Sequence, residues 1–463
     1  MKRIAIVGGG ISGLTVAYSL INRGEELDVM VFESESRAGG KICTDRGGGF
    51  LFERGANGFL DNKPKTLDLC NELGITPLRS NENAKKRYIF SGGELKALPE
   101  SPPAFLRSNL ISWRGKLRML YELIAPRGPE EETVSDFILR RLGREALEKL
   151  IDPMVSGVFA GDPYRMSIKS CFPRIKELEK EYGSLIRAMI RISKERKKSK
   201  GSGVSVAPPG NLTSFYDGAQ TITDALALLL GDRLKLGVSV KGLARLGGSA
   251  RGGKKGNSYQ LHTSSGVFDA EVVVLASPAF VSSEILKNID GNISKNLAEI
   301  PYPPLSIVCF GYERGKVGHP LNGFGFLTPH IEGRRILGSL WDSSIFPNRA
   351  PDGHILLRTM VGGSKSPEFA MLDDDKLVST VFDELNPIIS LKGEPDLIRI
   401  YRWEKAIPQY LLGHGERLRT LDERLHSFPG LYLAGNALHG VGMNDCIENG
   451  YKVADRIMNY IKN

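Results

Sequence analysis

Cysteine is sparse and scattered in this chain. The five residues, Cys43, Cys70, Cys171, Cys309 and Cys446, include no C-x-x-C pair and are odd in number, which argues against a disulfide framework and points to a reducing cytoplasm. The histidines, His262, His319, His330, His354, His414, His426 and His439, show no metal-ligand spacing, so no metal is expected. No nucleophile stands beside a recognisable base, and no catalytic residue is assigned. Nor is any apolar stretch long enough to span a bilayer. The basic runs lack interleaved aromatic residues, so nucleic acid is not an expected partner. Charge is only mildly one-sided: 62 basic against 53 acidic residues give +9, which permits an anionic partner without requiring one.

What is present is enough hydrophobic material, 41% of 463 residues, to build a large core in two or three lobes. The most informative segment is the first. An apolar run, Ile4-Ala5-Ile6-Val7, leads through Gly8, Gly9, Gly10, Ile11, Ser12 and Gly13 into a helix-like stretch ending near Ile21, and Glu33 closes the next apolar run. Strand, glycine loop, helix, strand and acid in this order predict a dinucleotide-binding βαβ unit. The glycines would let backbone N–H groups and the helix start approach a pyrophosphate. Glu33 would accept a hydrogen bond from a ribose hydroxyl.

Directly afterwards, Arg37-Ala38-Gly39-Gly40-Lys41 places a second glycine pair and two cations beside the dinucleotide. That placement suggests an extended FAD whose ring reaches distant segments. A glycine-rich turn follows at Gly47-Gly48-Gly49. Helical periodicity is expected between about Asn62 and Arg196, with one helix starting at Ser135-Asp136. Lys194 to Gly203 reads as a surface loop, and Gly247 to Gly256 as a hairpin tip. A helix is expected over 221–230 and a strand around Val238. Ala270 to Ala276 reads as a strand of a covered parallel sheet. Alternating strands from Ser306 to Gly362 suggest a second, more antiparallel sheet. Near the end, Leu433 to Cys446 leads into a helix with one apolar face at Ile447, Tyr451, Ala454, Met458 and Ile461. Asp445 with Glu448 has the form of a capping box, and the helix start would favour electron acceptance by a nearby flavin ring.

With these motifs the chain resembles the FAD-containing amine oxidase superfamily and, within it, the oxygen-dependent protoporphyrinogen oxidase family. The closer likeness rests on Asp152 to Pro163, Ser167 to Pro173, Ile407 to His414 and Asn444 to Gly450. Ala56-Asn57 stands where that family often has Gly-Pro, and Lys41 where some members have an aromatic residue. The resemblance implies an α/β protein: a Rossmann-like FAD-binding domain (1–60, 212–290 and 395–463), a mixed-sheet substrate domain (61–90 and 300–394) and an α-helical, membrane-associating insertion (91–211). FAD contacts are implied at Gly8 to Gly13, Glu33, Ser34, Arg37, Gly40, Lys41, Gly55, Ala56, Asn57, Gly58, Val240, Gly435, Asn436, Val441, Gly442 and Met443.

The implied activity is six-electron oxidation of protoporphyrinogen IX to protoporphyrin IX, with O2 as acceptor and H2O2 as product. Arg87 would hold a propionate, Leu327 and Met360 would sandwich the macrocycle, and Gly161 would offer its carbonyl to pyrrole N–H groups. Coproporphyrinogen III is the alternative substrate, favoured if Lys41, Lys85 and Lys86 surround the cavity. More distant alternatives are an amine oxidase or a flavin-free binding protein of the same fold. Pro102 to Pro126, with Trp113, Leu117 and Leu120 among Arg107, Arg114, Lys116 and Arg118, suits a bilayer interface and core packing equally. The family likeness adds a homodimer and peripheral contact on the cytoplasmic face of a membrane.

Overall fold

The computed structural model describes residues 2–23, 26–199, 210–246 and 258–462. Its first sheet has five parallel strands in the order Leu234–Lys235, Leu27–Phe32, Lys2–Val7, Val272–Leu275, Leu431–Leu433. Ile4 to Ile6 and Val272 to Val274 are fully buried, which is why these strands are continuously apolar rather than alternating. Helix Ile11–Ile21 covers one face beside the carboxy-terminal helix Met443–Lys462, whose Ile447, Ala454 and Met458 join its core. Gly450 sets the closeness of the two helices. A Cβ there would lie 2.9 Å from the Thr15 Cβ.

The second sheet has seven strands in the order Leu397–Trp403, Leu305–Glu313, His354–Gly362, Ile336–Trp341, Gly325–Leu327, Arg87–Ser91, Glu94–Ala97. All neighbours are antiparallel except Gly325–Leu327 with Arg87–Ser91. Side chains alternate between the faces of a strand. Val308, Phe310, Leu357 and Val361 therefore pack under helix Asp374–Ile389. The opposite face carries Ile307, Cys309, Leu356 and Met360, which meet Phe50 and Phe52 of the strand Phe50–Glu53.

The helical stretch expected from Asn62 begins with helix Pro64–Glu72, but Arg87–Ser91 and Glu94–Ala97 are strands of the second sheet. Arg87-Tyr88-Ile89-Phe90 has the β-branched and aromatic content that favours a pleated surface. Further on the segment is helical, with Val134–Arg141 among its members. That helix starts one residue before Ser135, because the Thr133 hydroxyl accepts the Asp136 N–H at 3.0 Å and caps it. Helix Leu185–Ser199 runs into the loop expected at Lys194 to Gly203, whose remainder lies outside the described residues. The expected hairpin tip at Gly247 to Gly256 also lies outside them. Helix Thr221–Leu230 has the expected bounds, and the strand expected around Val238 is Val240–Leu246.

Candidate cofactor and substrate site

The first loop is built by clearance. Gly8 has φ of +109°, and a Cβ there would lie 2.9 Å from the Ala276 carbonyl carbon; one at Gly13 would lie 2.1 Å from the Gly8 oxygen. Both glycines are therefore needed by the chain itself. Gly10 differs. It is extended (φ −75°, ψ 171°) at the N-cap of helix Ile11–Ile21, and a Cβ there would meet nothing within 4 Å. Neither backbone nor packing demands glycine at position 10, so the space beside it fits a phosphate drawn to the helix amino terminus. The Gly40 Cβ position, 3.5 Å from the Gly10 Cα, bounds the same space. Buried Ser12 is hydrogen-bonded with Cys446 of the carboxy-terminal helix.

Glu33 is buried and already engaged: one carboxylate oxygen accepts the Gly9 N–H at 2.7 Å, the other the Glu35 N–H at 2.9 Å and the Ser34 hydroxyl at 3.2 Å. Spare lone pairs remain for a ribose hydroxyl. Val238 N–H donates to the Glu33 carbonyl at 2.8 Å, which brings nearby Val240 to the same end of the site. Arg37 donates to the carbonyls of Ala38, Gly40 and Ile42, so it shapes the second glycine loop.

Lys41 is the least expected of these residues. Its ammonium reaches the carbonyls of Lys405 and Ala406 and lies 5.1 Å from the centre of the Tyr302 ring. Burial lowers its pKa from the usual 10.5 to about 8. Gly55 is pressed against it, with a Cβ position 2.1 Å from the Lys41 carbonyl oxygen. Ala56 is exposed. Asn57 donates to Asp342 at 3.3 Å, and a Cβ at Gly58 would lie 2.2 Å from the Thr213 carbonyl oxygen.

At the far end, Gly435 has φ of +119° beside Ala276, and the Asn436 carbonyl accepts the Tyr410 hydroxyl. The Tyr410 ring stacks on His414 at 4.3 Å, and the Tyr410 carbonyl accepts the Ser167 N–H at 2.9 Å. Residues 407 to 414 thus tie the helical segment to the cofactor loop. Val441 packs against the helical cluster and Met443 enters the core under the first sheet. The capping geometry is one helical register away from expectation. Gly442 is the helix cap, its carbonyl accepting the Cys446 N–H at 3.0 Å. Asp445 sits in the first turn and accepts the Gly442 N–H, while burial pushes its carboxyl up. It supplies the reaching-back half of a capping box.

Two of the residues expected to hold a substrate, Leu327 and Met360, share one sheet face. Leu327 pairs with Gly338, Gly338 with Met360, Met360 with Ile307 and Ile307 with Tyr401. Gly338 between them is buried, and a Cβ there would lie 3.0 Å from a Leu327 methyl, so the glycine lets the Leu327 side chain lie across its strand toward Met360. The Leu327 side chain packs on Gly157 of helix Asp152–Phe159, with a methyl 2.7 Å from that glycine's Cβ position. This helix ends at Ala160 in the left-handed region (φ 48°, ψ 35°). Gly161 follows, with the Met166 sulfur 2.2 Å from its Cβ position, so no side chain fits there. Arg87, across from Gly325 in the parallel register, stacks 5.4 Å above the Phe324 ring.

No sequence motif includes the charged groups buried beside these residues. Glu53 and Arg349 form a fully buried pair at 3.4 Å, and Arg358 lies 3.0 Å from Asp342. Burial pushes both carboxyls up against the pull of the guanidiniums. The one available signal was Arg358 itself, a charge inside the apolar run from Ile355 to Val361. Gln409, within the Ile407 to His414 motif, is buried, donates to the Phe159 carbonyl at 2.8 Å and braces Gly161.

A family model described as flavin containing amine oxidoreductase matches residues 11–458. The chloroplastic protoporphyrinogen oxidase of Oryza sativa subsp. japonica is 33% identical over 478 residues, covering 98% of this chain and 88% of that one. The coproporphyrinogen III oxidase of Bacillus subtilis (strain 168) is 29% identical over 478 residues, covering 99% and 98%. Among solved structures, one from Exiguobacterium sp. 255-15, provisionally assigned as a protoporphyrinogen oxidase, superposes with a TM-score of 0.82 at 26% identity, over 100% of this chain and 99% of that one.

Proposed function

The chain belongs to the flavin containing amine oxidoreductase family and takes FAD as its cofactor, and from that premise we propose that it oxidises a porphyrinogen in haem biosynthesis. The observation that carries the reading is the register that sets two partly exposed apolar side chains, Leu327 and Met360, on either side of Gly338 on one sheet face, a pair suited to a flat, apolar macrocycle. Leu327 and Met360 grip the ring, and the Gly161 carbonyl accepts from pyrrole N–H groups. Arg87 binds a propionate with its two-pronged guanidinium. The apolar walls exclude water and orient a methylene bridge toward the cofactor loop. Bound FAD would supply the two-electron chemistry, with O2 as final acceptor giving H2O2 and six electrons removed in all.

Protoporphyrinogen IX is the substrate that fits best. Lys41 is spent on backbone carbonyls, and Lys85 pairs with Glu82 at 3.2 Å, so two of the three lysines considered for a substrate with four propionates are engaged within the chain. The relation to a coproporphyrinogen III oxidase keeps that substrate as the second reading. Anaerobic mixing with each porphyrinogen tests both: the true substrate bleaches the flavin absorbance, and porphyrin fluorescence appears on adding O2. A flavin that neither compound bleaches overturns the reading.

The proposal extends to a membrane surface. Trp113 (66%), Leu117 (64%), Leu120 (57%) and Ile124 (73%) are exposed at helical spacing, with Leu106 nearby. Lys116 and Arg118 turn to backbone carbonyls: Lys116 to Leu106 and Ser108, Arg118 to Leu139, Arg140 and Arg141. The apolar ridge is left clear to enter a bilayer interface, where each inserted side chain contributes up to ~1.5–3 kcal/mol. A cytoplasmic homodimer in peripheral contact with the membrane completes the proposed assembly.

A further inference from the structure

Three successive backbone carbonyls of the cofactor-edge segment are held from the second sheet. The Arg358 guanidinium donates to the Glu53 carbonyl at 3.4 Å and the Gly55 carbonyl at 3.0 Å. Between them, the Trp403 indole N–H donates to the Arg54 carbonyl at 2.7 Å. Arg358 is in turn fixed by Asp342, with Nε and Oδ2 3.0 Å apart and both side chains almost wholly buried (4% and 0% exposed). That approach is an ion-pair contact. The other Asp342 oxygen accepts from the Asn57 amide at 3.3 Å.

The position of Arg358 gives the pair its leverage. It lies two residues before Met360 on one strand, so both side chains rise from the same face. Gly55, which it grips, is wedged against the Lys41 carbonyl with no room for a Cβ. A displacement of Arg358 is therefore passed through Gly55 to the second glycine loop. One charged pair spans the distance between the proposed substrate face and the segment at Gly55.

A pair that only stabilised the fold would be poorly chosen. Burying two charges costs several kcal/mol that their attraction barely returns, and an apolar pair of similar volume is often as stable. Its geometric specificity is the stronger physical reason to have it: a planar guanidinium sets the positions of two carbonyls at once. We propose that Arg358 and Asp342 are positioning residues that hold Gly55 to Gly58 at a fixed distance from the Leu327–Gly338–Met360 row. What that segment faces rests on the function proposed above.

The test uses FAD-loaded Arg358→Met, Arg358→Lys and the double variant Arg358→Met/Asp342→Asn. The double variant leaves no buried unpaired charge and guards against simple misfolding. In folded variants that retain FAD, amide hydrogen exchange at residues 54 to 58 should quicken by about tenfold. The visible flavin bands should shift. Flavin reduction by the porphyrinogen should slow by about a hundredfold with little change in KM, the expected penalty of a ~1 Å misplacement. Arg358→Lys should recover part of each change, since an ammonium can reach one carbonyl. A double variant with wild-type exchange, spectrum and reduction rate overturns the proposal, and so does faster exchange with an unaltered reduction rate. Should the wild-type flavin be reduced by no porphyrinogen, the functional reading fails, while altered exchange and spectrum would still support the clamp and unaltered ones would overturn it.

Discussion

Gly10→Ala and Gly13→Ala should fail in different ways, and the contrast tests where the dinucleotide lies. At Gly13 the new methyl would stand 2.1 Å from the Gly8 oxygen, where ordinary contact begins near 3.4 Å. Relief requires helix Ile11–Ile21 to retreat by about 1 Å, and its buried length makes that overpacking cost ~1–3 kcal/mol. The FAD-free protein should melt lower, by a few degrees per kcal/mol. The retreat also withdraws the helix-start N–H groups from a phosphate, so FAD affinity should fall about a hundredfold, or ~2.7 kcal/mol. Gly10→Ala should leave the FAD-free protein nearly intact. Its backbone is already extended and the space beside it open, and the poorer cap costs ~1 kcal/mol at most. Yet its methyl would occupy the phosphate space, so FAD affinity should fall at least about tenfold. Melting of FAD-free protein and flavin titration separate the two. Wild-type FAD affinity in Gly10→Ala would refute the placement of the cofactor.

Three further outcomes are expected. Arg87→Ala should raise KM for the porphyrinogen with little loss of FAD, and unchanged steady-state kinetics would sink its assignment. Lys41 has a folded pKa of about 8 against an ordinary 10.5, so the unfolded chain binds more protons between those values and stability rises as pH climbs through that window. Lys41→Met removes the penalty present below pH 8, so its melting advantage over wild type, measured without FAD, should shrink from pH 8 to 10.5; a constant difference contradicts the buried ammonium. The double substitution Trp113→Ser/Leu117→Ser should abolish flotation with anionic liposomes while leaving flavin content alone, and a wild-type chain that does not float removes the membrane proposal.

The legibility of the site followed the range of its interactions. Gly8 to Gly13 and Glu33 could be read because strand, loop, helix and acid are consecutive, and their clearances are met by immediate neighbours such as the Gly8 oxygen. Even there, Gly10 looks like its companions in sequence, and only the open space around it separates a ligand requirement from a packing one. Asp445 was visible as part of a cap, but the residue that starts the helix is Gly442. Arg87 lay in a stretch read as helical because its parallel partner, Gly325, is more than two hundred residues away and no local pattern announces it.

By itself the sequence determined the glycine loop between strand and helix, the covered parallel strands and the apolar face of the last helix, since these follow from local backbone freedom and hydrophobic period. Tertiary structure decided how the proposed substrate face and the segment at Gly55 meet. Leu327, Gly338 and Met360 fall in one row only through strand register, and Arg358 reaches Gly55 only because the strand Phe50–Glu53 packs on that face of the second sheet. Register and buried pairing are set by contacts between residues far apart in the chain, and an arginine in an apolar strand acquires its meaning from the carbonyls it finds there.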